Sequence, residues 1–175
     1  MEQPVTTTNT KGIIIGLILI VIAIAIYFAN IDLNGPAKWI SNVVFIFGII
    51  WSVYNYGKQI NYNSTFGNYF AHGFKVTAVV TAIMILYLVI FITIFPEFKE
   101  KAMEQAKAAM EKGGKMTSEQ IQQGLTLTKK FFMVFAIGGT LIGYLIFGAL
   151  ASLVGAAITK KEPNTIKGDF NQPLQ

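Results

Sequence analysis

The sequence predicts an all-α integral membrane protein: a four-helix bundle with an extramembrane helical hairpin between spans three and four. Three observations carry that expectation. Of the 175 residues, 53% are hydrophobic and only 13% charged, with a mean hydropathy of +0.53; a soluble domain carries about 25% charged residues. The charges are gathered rather than spread, which leaves four long uncharged runs. Between the third and fourth runs lies a charged segment with helical periodicity.

Taken in order, residues 1–11 are polar and rich in Thr and Asn, and read as a disordered N-terminal tail. Span one, about 12–30, rests on the uncharged run Gly12 to Ala29. That run covers roughly 27 Å as a helix, close to the bilayer core. It is too long for the core of a cleaved signal peptide and is preceded by a single lysine, Lys11, so a retained span is expected. Asn30 to Pro36 is a turn, marked by Asn34-Gly35-Pro36. Span two, about 38–56, has Trp39 at one end and Trp51, Tyr54 and Tyr56 at the other, residues that favour the membrane–water interface. A polar connector rich in Asn and Tyr follows. Span three, about 69–95, is stopped by Pro96. Span four, about 129–159, is charge-free from Phe131 to Ile158. At about 42 Å it exceeds the hydrocarbon core and should tilt or project. Lys160-Lys161 closes it, and residues 163–175 form an irregular C-terminal tail.

The hairpin, residues 97–128, has two arms. Phe98, Ala102, Ala106 and Ala109 mark the apolar side of the first, with Glu97/Lys101 and Glu111/Lys115 spaced for i,i+4 pairing. Gly113-Gly114 ends this arm. Thr117 is the expected N-cap of the second, with Gln120 as capping-box partner and Met116 and Ile121 as staple. The apolar stripe Ile121, Leu125, Phe132 leads into span four, so the second arm and the span are expected to be continuous.

The same composition excludes several function classes. There are no cysteines and one histidine, which removes disulfides, thiolate metal sites and all-histidine metal sites. The 14 basic residues are all lysine; arginine, the usual reader of bases and phosphates, is missing, and no nucleic-acid partner is expected. No Asp or Glu lies inside an apolar run, which argues against a cation-coupled carrier. Phosphate-loop, nucleophile-elbow, zinc-protease and dinucleotide motifs are missing, so neither an enzyme nor a cofactor is expected. Met103, Met110 and Met116 read as pliable hydrophobes rather than soft-metal ligands.

Two groups of candidate residues remain. Small residues that let membrane helices approach closely are Gly12 and Gly16 in span one, Gly73 and Thr77 in span three, and Gly139, Gly143, Gly148 and Gly155 in span four. They serve either packing inside one bundle or contact with a second copy or another membrane protein. His72 and Lys75, three residues apart at the start of span three, are candidates for a lipid headgroup or anion; the plainer reading is a juxtamembrane histidine beside a snorkelling lysine.

Thr65-Phe-Gly-Asn-Tyr-Phe-Ala-His-Gly-Phe-Lys-Val-Thr-Ala78 carries a Phe-Gly-x-x-Phe-x-x-Gly-Phe-Lys pattern at the opening of span three. It resembles the domain of unknown function 4199 family, small four-span proteins of Bacteroides–Flavobacterium group bacteria. Lys11-Gly12, Pro96, Ser118-Glu-Gln-Ile121, the Gly139-to-Gly155 span and Lys160-Lys161-Glu162 match in order, so the resemblance runs from about Lys11 to Glu162. His72 departs from the pattern, where another polar or small residue would be expected. The resemblance implies a bacterial inner-membrane protein and implies no reaction. Six lysines flank the spans on the side of the termini and eight on the other, which leaves the positive-inside rule undecided. Local flanking charge and the resemblance favour cytoplasmic termini and a periplasmic hairpin. The functional expectation is a non-enzymatic accessory or scaffold subunit contacting another membrane protein. The alternative is a small oligomeric channel or carrier, with Asn42, Ser52, Thr81 or Thr93 facing a lumen.

Overall fold

The structure, a computed structural model, describes residues 6–29, 39–114 and 117–159. The turn before span two, Lys115, Met116, Lys160-Lys161 and the C-terminal tail lie outside the described residues.

Among the described residues six helices follow one another: α1 (Thr8–Phe28), α2 (Ile40–Gln59), α3 (Phe66–Ile94), α4 (Glu97–Lys112), α5 (Ser118–Lys130) and α6 (Phe132–Thr159). α1, α2, α3 and α6 are long and apolar enough to cross a membrane. The first correction falls on the N-terminal tail. Thr7 caps α1 by accepting from the Thr10 backbone N–H at 3.2 Å, so helix begins at Thr8 and already includes Lys11. A hydroxyl cap was available in what composition alone reads as disorder. Span three likewise opens earlier than Tyr69: Thr65 accepts from the Asn68 N–H at 3.3 Å and starts the helix at Phe66.

Between α2 and α3 the chain reverses through Asn61 and Tyr62, both left-handed at φ 53° and 56°. The Tyr62 N–H returns to the Gly57 carbonyl at 2.7 Å and satisfies one of the orphan acceptors of the helix end. At the tip of the hairpin, Gly114 takes φ +60°, as the Gly-Gly pair allows.

α3 is the hub of the bundle and packs on α6, α1 and α2; α2 also packs on α6. α1 and α3 run parallel, with Gly12 against Val79 and Gly16 against Ile83. α3 and α6 run antiparallel, with Gly73 against Ser152 and Thr77 against Gly148. Leu19, Phe45, Ile49, Val76 and Val80 are fully buried along the axis, continued by Val53, Tyr69 and Ala156. Thr6 and Thr159 both lie beside the last turn of α2, Thr6 against Gln59 and Thr159 against Gly57. The two ends of the described chain therefore share one end of the bundle, here called the terminal end.

Register sets a step at that end. Gly12 opposite Val79 places Thr8 level with Lys75, so the first turns of α3 run past the start of α1 by roughly 13 Å. α1 begins in a recess formed by α2 and α3.

The hairpin stands at the other end. Thr117 and Gln120 form the capping box, at 3.3 and 2.9 Å. α4 meets α5 where the Met110 methyl approaches Gly124. Of the two expected ion pairs, Glu97–Lys101 gives way to a hydrogen bond that Glu97 accepts from Tyr27, and Glu111–Lys115 falls on Lys115, outside the described residues; among the described residues Glu111 pairs with Lys107 at 3.9 Å. α5 and α6 are not one helix. They break at Phe131, although backbone hydrogen bonds run on either side of it.

Candidate functional site

The terminal end gathers polar side chains inside an apolar bundle. On α2, Ser52, Tyr56 and Gln59 follow at helical spacing and share a face. On α3, Tyr69, His72, Gly73 and Val76 form the buried stripe. Lys11 heads the buried stripe of α1, above Ile15 and Leu19. Antiparallel packing of α2 against α3, with α1 beside them, brings the three sets together.

Lys11 is the central group. It is 1% exposed, and its Nζ donates to the Ser52 carbonyl oxygen at 3.2 Å and to Gln59 Oε1 at 3.4 Å. The same Nζ lies 5.8 Å from the centre of the Tyr56 ring. Gln59 is tied to the start of the described chain: its Nε2 donates to Thr6 Oγ1 at 2.7 Å, and its Oε1 accepts from the Thr6 N–H at 3.2 Å. The His72 ring stacks on Tyr56, centroids 4.1 Å apart and planes within 8°. His72 Nε2 shares a hydrogen bond of 3.4 Å with Ser52 Oγ. Ser52 thus serves Lys11 with its main chain and His72 with its side chain. The hydroxyls of Thr77 and Thr159 are buried with no hydrogen-bond partner among the described residues, and that of Tyr69 is buried beside the Ser64 main chain.

The structure separates His72 and Lys75 by burial. His72 falls on the buried stripe, 7% exposed, while Lys75 lies outside it and is exposed. Inside the bundle the cation nearest to His72 across the Tyr56 ring is Lys11. Sequence reading took Lys11 for a flanking charge. The signal for its place was its phase: it precedes Ile15 and Leu19 by four and eight residues, on the face that carries Gly12 and Gly16.

The small residues divide in two. A methyl group on Gly12 would meet Val79 Cγ1 at 2.6 Å; on Gly16, Ile83 Cγ2 at 3.0 Å; on Gly73, Ser152 Oγ at 2.6 Å; on Gly155, Val53 Cβ at 3.0 Å. On Gly148 it would collide with Thr77. Gly139 and Gly143 have no such neighbour within 4 Å, so within one copy they do not pack against another helix; contact with a second copy or a partner is untouched by this. The buried residues of α6 all lie from Gly148 onward, so its first half presents these glycines to open space.

At the hairpin end, Tyr27 Oη donates to Glu97 Oε1 at 2.9 Å within a cluster of Phe91, Phe95 and Phe98. The Glu97 carboxyl is held below its ordinary value. Its own backbone N–H at the start of α4 contributes first, then the Tyr27 hydroxyl, with Lys101 adding a favourable charge.

Chemically, the terminal cluster is rich in donors. A Ser–His contact resembles a nucleophile and its base, but Ser52 is fully buried and presents no face to a substrate. Among the described residues no three His, Cys, Asp or Glu side chains lie together as a metal site would require.

Four apolar helices around a packed axis define a helical, multi-pass membrane protein. The chain belongs to the family described as protein of unknown function (DUF4199), whose model matches residues 10–161. No curated protein and no solved structure matches it.

Proposed function

We propose that the protein is a non-enzymatic accessory or scaffold subunit of the bacterial inner membrane. Its termini are cytoplasmic, and its periplasmic hairpin contacts another membrane protein. The observation that supports this reading is how little the hairpin buries. α4, 16 residues long, has no buried residue, and α5, 13 residues long, has only Ile121. Two short helices ordered outside the membrane need more contact than that to offset their conformational entropy. A partner's surface would supply it. The alternative, a small oligomeric channel or carrier, has less support. Thr81 Oγ1 donates to the Thr77 carbonyl and Thr93 Oγ1 to that of Val89, so both hydroxyls close on their own helix.

The test is purification of the tagged chain in mild detergent, combined with a photo-crosslinking residue at the exposed Leu127. A stoichiometric companion that is also trapped from position 127 is the expected result. No companion in either assay, together with solute flux through proteoliposomes holding this chain alone, would replace the accessory role with that of a channel.

A further inference from the structure

We propose that the recess at the terminal end binds a phosphate group, carried by a lipid headgroup or free in solution, on the ammonium of Lys11. The argument is one of donors and acceptors. A lysine ammonium has three donors, and Lys11 satisfies two, on the Ser52 carbonyl and Gln59 Oε1. Among the described residues no carboxylate lies within ion-pair distance of it. A buried charge without a counter-ion is costly in an apolar surrounding. The neighbours add donors rather than acceptors. The Tyr69 hydroxyl is buried beside the Ser64 main chain, its ring 6.2 Å from that of Tyr56, and the Ser52–His72 pair lies against the same Tyr56 ring.

Gln59 Oε1 marks where the anion would sit. That one oxygen accepts from both the Lys11 ammonium and the Thr6 N–H, the combination a phosphate oxygen would satisfy with full charge. Gln59 and Thr6 are half-buried at the mouth of the recess, so rotation of one side chain opens it. Lys58 and Lys75, exposed at the same end, raise the local concentration of anions. The site lies at the opposite end from the hairpin, so its test is separate from that of the accessory role.

The experiment uses the full chain, freed of lipid in neutral maltoside detergent, with Tm followed by tryptophan fluorescence. One arm titrates sodium phosphate against sodium chloride at equal ionic strength. The other adds phosphatidylglycerol against uncharged maltoside alone. The expected result is a saturating rise of about 5 °C or more at a hundredfold excess over Kd. A rise in the first arm assigns a soluble anion, and a rise in the second alone assigns a headgroup. Lys11→Met should abolish the response and Lys75→Met should keep it. Gln59→Glu supplies a carboxylate in place of the ligand, so it should raise Tm and remove the response, a readout that survives if Lys11→Met fails to fold. No saturable rise in either arm, or an unchanged response in Gln59→Glu, overturns the proposal.

Discussion

Placing a single methyl group at two positions of α6 gives a sharp check on the packing. At Gly148 the added carbon would overlap the Thr77 side chain and stand 2.9 Å from Thr77 Cβ. Rotating χ1 of Thr77 does not move that atom, so α3 and α6 must part. Reaching an ordinary carbon–carbon contact needs about 0.6 Å at this point. Overpacking of that kind costs about 1–3 kcal/mol. At Gly143 the same methyl meets nothing within 4 Å. Both changes carry the same gain in helix propensity, so the difference between Gly148→Ala and Gly143→Ala isolates the contact. For a chain of this size it corresponds to roughly 2–12 °C in Tm. Thermal unfolding in detergent, with size-exclusion chromatography to exclude a change of oligomer, measures it. Thr77→Gly combined with Gly148→Ala swaps the small residue across the seam and should recover part of the loss. Equal Tm values for the two single variants would refute the α3–α6 register.

Three further outcomes are expected. Glu97 is held below its ordinary value, so its stabilisation of the α1–α4 junction is present above the unfolded-state value of about 4.3 and is lost as pH falls through and below it; hydrogen exchange at the start of α4 should rise on acidification and lose that dependence in Glu97→Gln. Thr117→Ala removes the capping box and should cost the hairpin about 1 kcal/mol, read as faster exchange at residues 118–121 with the bundle unchanged; equal exchange would show that the cap contributes nothing. A phosphatase reporter fused after Gln175 should be inactive and one at Gly113 active; the reverse pattern inverts the proposed orientation.

The spans were legible because an uncharged run of 18 or more residues has few other structural outcomes. The hairpin was legible through its own punctuation, Gly113-Gly114 and the Thr117–Gln120 box. Which face of each span turns inward was not. In α6 the outward and inward faces are almost equally apolar, since lipid and protein interior reward the same side chains. Glycine spacing therefore suggested Gly139 and Gly143 as readily as Gly148 and Gly155. The polar cluster was hidden for a different reason. Lys11 and His72 sit at the ends of apolar runs, where a charge is ordinarily solvated, and only the recess that takes in the start of α1 encloses them.

The unequal helix lengths bear on how the molecule responds to membrane thickness. α1 and α2, at 21 and 20 residues, span about 30 Å, whereas α3 and α6, at 29 and 28, span about 42 Å. A bilayer that suits the short pair is too thin for the long pair, and each ångström of mismatch costs a fraction of a kcal/mol. The long pair is locked together at Gly73–Ser152 and Thr77–Gly148, and Gly12–Val79 and Gly155–Val53 tie the short helices to it, so the bundle would tilt as one body. Thickening the bilayer would bring that body upright and carry the Phe131 junction, with α5 attached, farther from the membrane midplane.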